Sequence, residues 1–195
     1  LVLTVRNSKL KDLISQDLDD LGPWLSLMVV MIYEYLLGEA SAWSAYFKVL
    51  PVKFDTLMFW SESELSELQG SAIVDKIGKR DAEESILERV APIIRANPSH
   101  FPPVAGLASY DGDAGSQAIL DLAHRMGSLI MAYAFDIEKS EDEAGDGQDG
   151  YVTDEEDQLP KGMVPLADLL NADGDRNNVS SHSHPLLYCA VGMVD

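Results

Sequence analysis

Cysteine is almost missing from these 195 residues, with Cys189 standing alone. A lone thiol excludes a disulfide framework within the chain and any cysteine-based zinc site, and it fits a reducing intracellular compartment best. Long apolar runs are missing as well. The longest, 25–37, is interrupted by Ser26 and Glu34 and is too short to cross a bilayer. The opening Leu1-Val2-Leu3-Thr4-Val5 has no basic region followed by an apolar stretch, so it does not read as a secretory signal. Positive charge is scarce: 14 Lys and Arg face 33 Asp and Glu, a formal net charge of -19. Nucleic-acid binding through phosphate contacts is not expected, because nothing offsets the repulsion.

Apolar side chains are plentiful, at 46% of the chain, enough for a core in one ordinary domain. The acids are unevenly placed. Segment 138–157 holds ten of them against one lysine, and the rest of the chain carries a net charge of -10. Such a surface favours a basic protein partner by steering. The plainer reading is that most of this charge solvates a disordered acidic loop.

Helical periodicity dominates. Asp19, Asp20 and Pro23 open a helix over 22–37, apolar on nearly all sides, with Gly38 as its stop. A short helical piece over 41–50 ends at Pro51. Ser61 and Glu64 have the spacing of a reciprocal cap for a helix over 62–69. A further helix spans 81–96, with Pro92 placed to kink or divide it. After a long connection over 97–115, rich in Pro, Gly, Ser and Asp, comes a strong helix over 116–137. Residues 1–10 suggest an extended entry. The fold class that follows is mainly α, with few strand candidates.

Taken one by one, the chemical motifs are weak. His182 and His184, with His100 or His124, lack the spacing of a His-Glu-x-x-His site, and no metal site is assigned. Gly112-x-x-Gly115 and Gly145-x-Gly147 follow no apolar strand and lack a P-loop lysine. Asp173-Gly174-Asp175 lacks the terminal glutamate of a calcium loop, and no Gly-x-Ser-x-Gly elbow exists. Asp168 and Asn171, three apart inside an apolar run, stand out more. Polar groups in such a setting need buried partners or a polar ligand, and a turn or helix cap is the bland alternative.

The segment Val164-Pro165-Leu166-Ala167-Asp168-Leu169-Leu170-Asn171-Ala172 resembles the signature of the Rubisco-type SET methyltransferases, especially the fungal ribosomal-protein lysine methyltransferases and their SETD-type animal relatives. Leu57-Met58-Phe59-Trp60-Ser61-x-x-Glu64-Leu65-x-x-Leu68-Gln69-Gly70-Ser71 resembles the helical insertion those enzymes carry inside the SET domain. Arg125-Met126-Gly127-Ser128-Leu129-Ile130-Met131-Ala132-Tyr133-Ala134-Phe135 resembles the helix returning to the SET core, and the opening Val2 to Leu10 the segment after its first strands. The resemblance implies a protein-lysine methyltransferase using S-adenosyl-L-methionine. Asp168, Asn171 and Ala172 would line the cofactor site, with Ala132 and its neighbours Tyr133, Ala134 and Phe135 backing it. A histidine often stands in the family where Ala172 stands here. A carboxamide such as Asn171 both donates and accepts hydrogen bonds, as a polar cofactor edge requires.

The resemblance also implies a division: a SET-core remnant over 1–10, a helical SET insertion with its return helix over 11–137, a disordered acidic loop over 138–161, a cofactor-motif segment over 162–178 and a divergent tail over 179–195. The expected architecture is therefore a helical insertion with remnants of the SET β core, the parent fold being α+β. The family's Gly-rich opening and its later tyrosine motif have no match here, and Tyr188 lacks the surrounding pattern, so no catalytic residue is assigned. The expectation is a fragment truncated at both ends and inactive by itself. Its parent would act in the nucleus or cytoplasm on a basic protein such as a ribosomal protein or histone, without a nucleic-acid or membrane partner. The alternative, from another class, is a non-catalytic helical interaction module presenting an acidic loop.

Overall fold

The computed structural model describes residues 2–68, 71, 76–137 and 159–167. Their order is β1 (Leu3–Thr4), α1 (Lys9–Asp19), α2 (Pro23–Leu36), α3 (Ser44–Val49), α4 (Glu62–Ser66), α5 (Lys79–Ser85), a π-helical turn (Ile86–Val90), α6 (Ala91–Ala96), α7 (Gly112–Tyr133), β2 (Ala134–Asp136) and β3 (Lys161–Met163). The fold is mainly α-helical, with one small unclosed antiparallel sheet in the order β1-β3-β2.

Helix α2 is the centre of the core. Every residue from Leu25 to Glu34 is buried, as an all-round apolar helix demands. Fully burying a Leu, Ile, Val or Met side chain is worth about 1.5–3 kcal/mol, so these positions dominate the stability of the helical block. Pro23 occupies the first turn, where no N–H is needed, and Gly38 beyond the C-terminus takes the left-handed conformation (φ 55°) expected of a helix stop. Helix α7 packs on α2 through Gly127, where an added Cβ would lie 3.2 Å from the Trp24 ring and 3.3 Å from the Met28 methyl.

Three differences from the sequence expectations have physical causes. The entry segment is extended only at β1. From Lys9 the chain is helical, capped by the Ser8 hydroxyl and kinked at Ile14, and it buries Leu10, Ile14 and Leu18 at four-residue spacing. Helix α7 begins at Gly112 rather than 116, and Gly115 lets the Tyr110 backbone approach its first turn. A Cβ there would stand 2.1 Å from the Tyr110 carbonyl carbon. At its other end α7 stops at Tyr133, because Ala134, Phe135 and Asp136 pair with Met163, Gly162 and Lys161. Pro92, with no N–H and a ring that crowds the carbonyl four residues back, follows a π turn inside one continuous helical run over 79–96.

Candidate functional site

Strand β3 is central in the sheet and leads straight into 164–167, the described part of the segment that carries Asp168 and Asn171. Gly162 leaves room for its neighbours, since a Cβ there would push against the side-chain ends of Ile137 and Thr4 and one or both would have to shift. After Met163 the chain turns, with the Ala167 N–H donating to Val164 O at 3.2 Å. Leu166 sits in this turn at φ 75°, a left-handed conformation that a leucine rarely takes unless its surroundings hold it there.

A groove of about 480 Å³ opens beside this turn. Pro165, Leu166 and Tyr133 form one side, and Trp43, Tyr46 and Leu50 from the α3 region form the other. Val49 (77% exposed) and Leu166 (72%) are lining residues left largely open to solvent. The lining is mainly apolar and aromatic, which suits the faces of a flat ring system. The register of β2 on β3, with Ala134 opposite Met163, brings Tyr133 and Pro165 together.

The α3 wall hangs from a buried carboxylate. Glu34, 5% exposed within apolar α2, accepts from Ser41 Oγ at 2.6 Å and from Ser8 Oγ at 3.0 Å. Ser41 Oγ in turn accepts from the Trp43 N–H at 3.0 Å. Burial, and secondarily the Glu34 carboxylate, hold the neighbouring Tyr33 phenol above its ordinary value, so it stays neutral. Below the stretch 57–59, His124 contacts Glu83 Oε1 at 3.1 Å and meets the Phe59 ring edge-on, so its ring is engaged within the helical block. Among the described residues, no group of three His, Cys, Asp or Glu side chains is placed to hold a metal ion.

Ribosomal lysine N-methyltransferase 4 of Saccharomyces cerevisiae is 33% identical to the chain over 189 residues, covering 92% of this chain and 36% of the yeast protein. N-lysine methyltransferase setd6 of Xenopus laevis is 31% identical over 178 residues, covering 87% of this chain and 35% of its own length. Among solved structures, the SET domain of LSMT bound to MeLysine and AdoHcy matches with a TM-score of 0.59 and 26% identity, over 94% of this chain and 35% of that one. The chain is homologous to the SET-domain lysine methyltransferases. It spans little more than a third of the length of these two curated relatives. No protein-family model matches it.

In the SET-like arrangement the candidate residues fall as follows. Ala132 is exposed on the last turn of α7, one residue before Tyr133 in the groove. Asp168, Asn171 and Ala172 lie outside the described residues, immediately past the Val164–Ala167 turn. Trp43, Tyr46 and Glu34 were not singled out by the sequence reading. A glutamate inside an otherwise apolar helix was the available signal, because a buried carboxylate must find donors.

Proposed function

We propose that this chain carries part of the methyl-donor site of an S-adenosyl-L-methionine-dependent protein-lysine N-methyltransferase. The observation that carries the reading is the convergence of the α7 terminus and the Pro165-Leu166 turn on one apolar groove, with Asp168 two residues after Leu166 in the sequence. Bound there, the cofactor would supply an activated methyl group on a sulfonium. Tyr133, Pro165 and Leu166 would exclude water along one side of it. Asn171 would offer a donor and an acceptor to its polar edge, Asp168 would orient an amine or cap the local turn, and Ala172 and Ala132 would complete the boundary. A volume of about 480 Å³ with an apolar and aromatic lining supports a ring-bearing ligand there.

The acceptor we propose is a lysine of a basic protein, such as a ribosomal protein or histone, met in the nucleus or cytoplasm. The acidic balance of the chain suits that partner. We further propose that these 195 residues bind without turning over. No tyrosine here carries the family's catalytic pattern, and misplacement of reacting groups by about 1 Å costs on the order of 100-fold in rate.

Ultraviolet cross-linking of methyl-labelled S-adenosylmethionine to the full chain tests the reading. The expected result is capture that falls on the order of ten-fold in Asn171→Ala and in Asp168→Ala, with no label passed to a ribosomal or histone acceptor. Capture equal in both variants would overturn the site. Label in the acceptor, lost in Asn171→Ala, would overturn the inactivity instead.

A further inference from the structure

We propose that Glu34 is a positioning residue that sets the distance between the two sides of the groove. The inference rests on reading that groove as the border of the methyl-donor site. Glu34, Ser8 and Ser41 are 5%, 4% and 6% exposed, and they lie on three different parts of the fold. One carboxylate oxygen accepts from Ser8 at 3.0 Å and the other from Ser41 at 2.6 Å.

Each serine passes the constraint on. Ser8 Oγ accepts from the Leu10 N–H at 3.3 Å and caps α1, just after the strand whose Leu3 and Thr4 pair with Met163 and Gly162. That pairing aims β3 and therefore the Pro165-Leu166 side. Ser41 Oγ accepts from the Trp43 N–H and starts the turn into α3, which carries the opposite side. One carboxylate thus spans both sides through two hydroxyls.

The chemistry makes the arrangement specific to a carboxylate. Both serine oxygens already accept a backbone N–H, so each hydroxyl proton needs an acceptor. A carboxylate offers one to each. A carboxamide of equal size offers only one and faces the other hydroxyl with a donor. Replacing a whole buried polar set by apolar groups is often neutral for stability, whereas breaking half of it is not. Stability and positioning can therefore be separated.

The test uses the full chain with 5-fluorotryptophan at its three tryptophans, read by fluorine NMR, together with equilibrium dialysis against S-adenosylhomocysteine. Glu34→Gln is expected to shift or split the Trp43 resonance while those of Trp24 and Trp60 stay in place. It should also weaken S-adenosylhomocysteine binding on the order of ten-fold. Ser41→Ala, which removes the α3 arm together with the acceptor of the Trp43 N–H, should weaken binding likewise, and its affinity decides the matter if Glu34→Gln fails to fold. The triple variant Glu34→Met, Ser8→Ala, Ser41→Ala leaves the Leu10 and Trp43 N–H groups without their acceptors, so its urea midpoint should recover only part of what Glu34→Gln loses, and its affinity should not recover. Wild-type affinity in Ser41→Ala or in a folded triple variant, or an unmoved Trp43 resonance in Glu34→Gln, would overturn the proposal. If the unaltered chain binds no S-adenosylhomocysteine, the methyl-donor reading fails, and the Trp43 resonance alone decides whether Glu34 positions the groove.

Discussion

Two glycines on the same helix illustrate how neighbouring atoms, rather than residue type, set what a substitution does. At Gly115 a new methyl would fall 2.1 Å from the Tyr110 carbonyl carbon and 2.2 Å from its oxygen. That oxygen is also held by the Arg95 guanidinium, whose Nε donates to it at 3.0 Å while Nη2 donates to Ser116 Oγ at 2.7 Å. The backbone cannot retreat without breaking this clamp, so Gly115→Ala should cost about 3 kcal/mol, the upper range for overpacking. At Gly127 the nearest atoms are ring carbons of Trp24 and the methyl end of Met28, at 3.2 and 3.3 Å. These can give by a few tenths of an ångström, and alanine relieves the helix of glycine's entropy cost, about 0.5–1 kcal/mol. Gly127→Ala should therefore lie between neutral and about 1 kcal/mol stabilising. Urea midpoints of the two variants check the contrast, and equal losses would refute it.

At the scale of elements, what was legible in the sequence is what local chemistry decides. The Ser61/Glu64 spacing announced a capped start, and both reciprocal bonds are present: Ser61 Oγ accepts from the Glu64 N–H at 3.3 Å, and Glu64 Oε2 accepts from the Ser61 N–H at 2.7 Å. The hydrogen bond from the Ser61 side chain, then that from its backbone, holds the Glu64 carboxyl below its ordinary value of 4.5. A depressed folded value means the cap's pH-dependent contribution is whole above the ordinary value and disappears as pH falls through the depressed one. Carbon-13 titration should therefore show Glu64 moving up towards 4.5 in Ser61→Ala; an unchanged titration would mean the serine does not hold it. The sheet was not legible in the same way. Strands of two or three residues show no usable alternation, and Ala134-Phe135-Asp136 continues the apolar rhythm of α7. Only pairing with Lys161–Met163 decides their state. The site divides likewise. Asp168 and Asn171 stand out as a motif in the sequence and lie outside the described residues, whereas Trp43 and Tyr46 reach the groove through packing that no local pattern reports.

Across the whole molecule the dominant quantity is charge. The net value is -19, and segment 139–157 contributes nine acids and one lysine to it. Charge distributed this way acts at long range and sets encounter rates, while short-range contacts set how long a complex lasts. The methyl-donor reading and the interaction-module reading both predict capture of a basic protein, so capture alone cannot separate them. Kinetics can. If the acidic segment only steers, deleting 139–157 should slow association with a basic ribosomal or histone protein on the order of ten-fold at low salt and leave dissociation unchanged. The gap should close as salt shortens the Debye length from about 30 Å at 0.01 M to about 10 Å at 0.1 M. Under that reading Asn171→Ala leaves the association rate alone and lowers cofactor capture. A deletion that instead speeds dissociation at every ionic strength, in a chain whose capture of S-adenosylmethionine is indifferent to Asn171, would make the acidic segment itself the binding surface. The helical block would then be its scaffold rather than the side of a methyl-donor site.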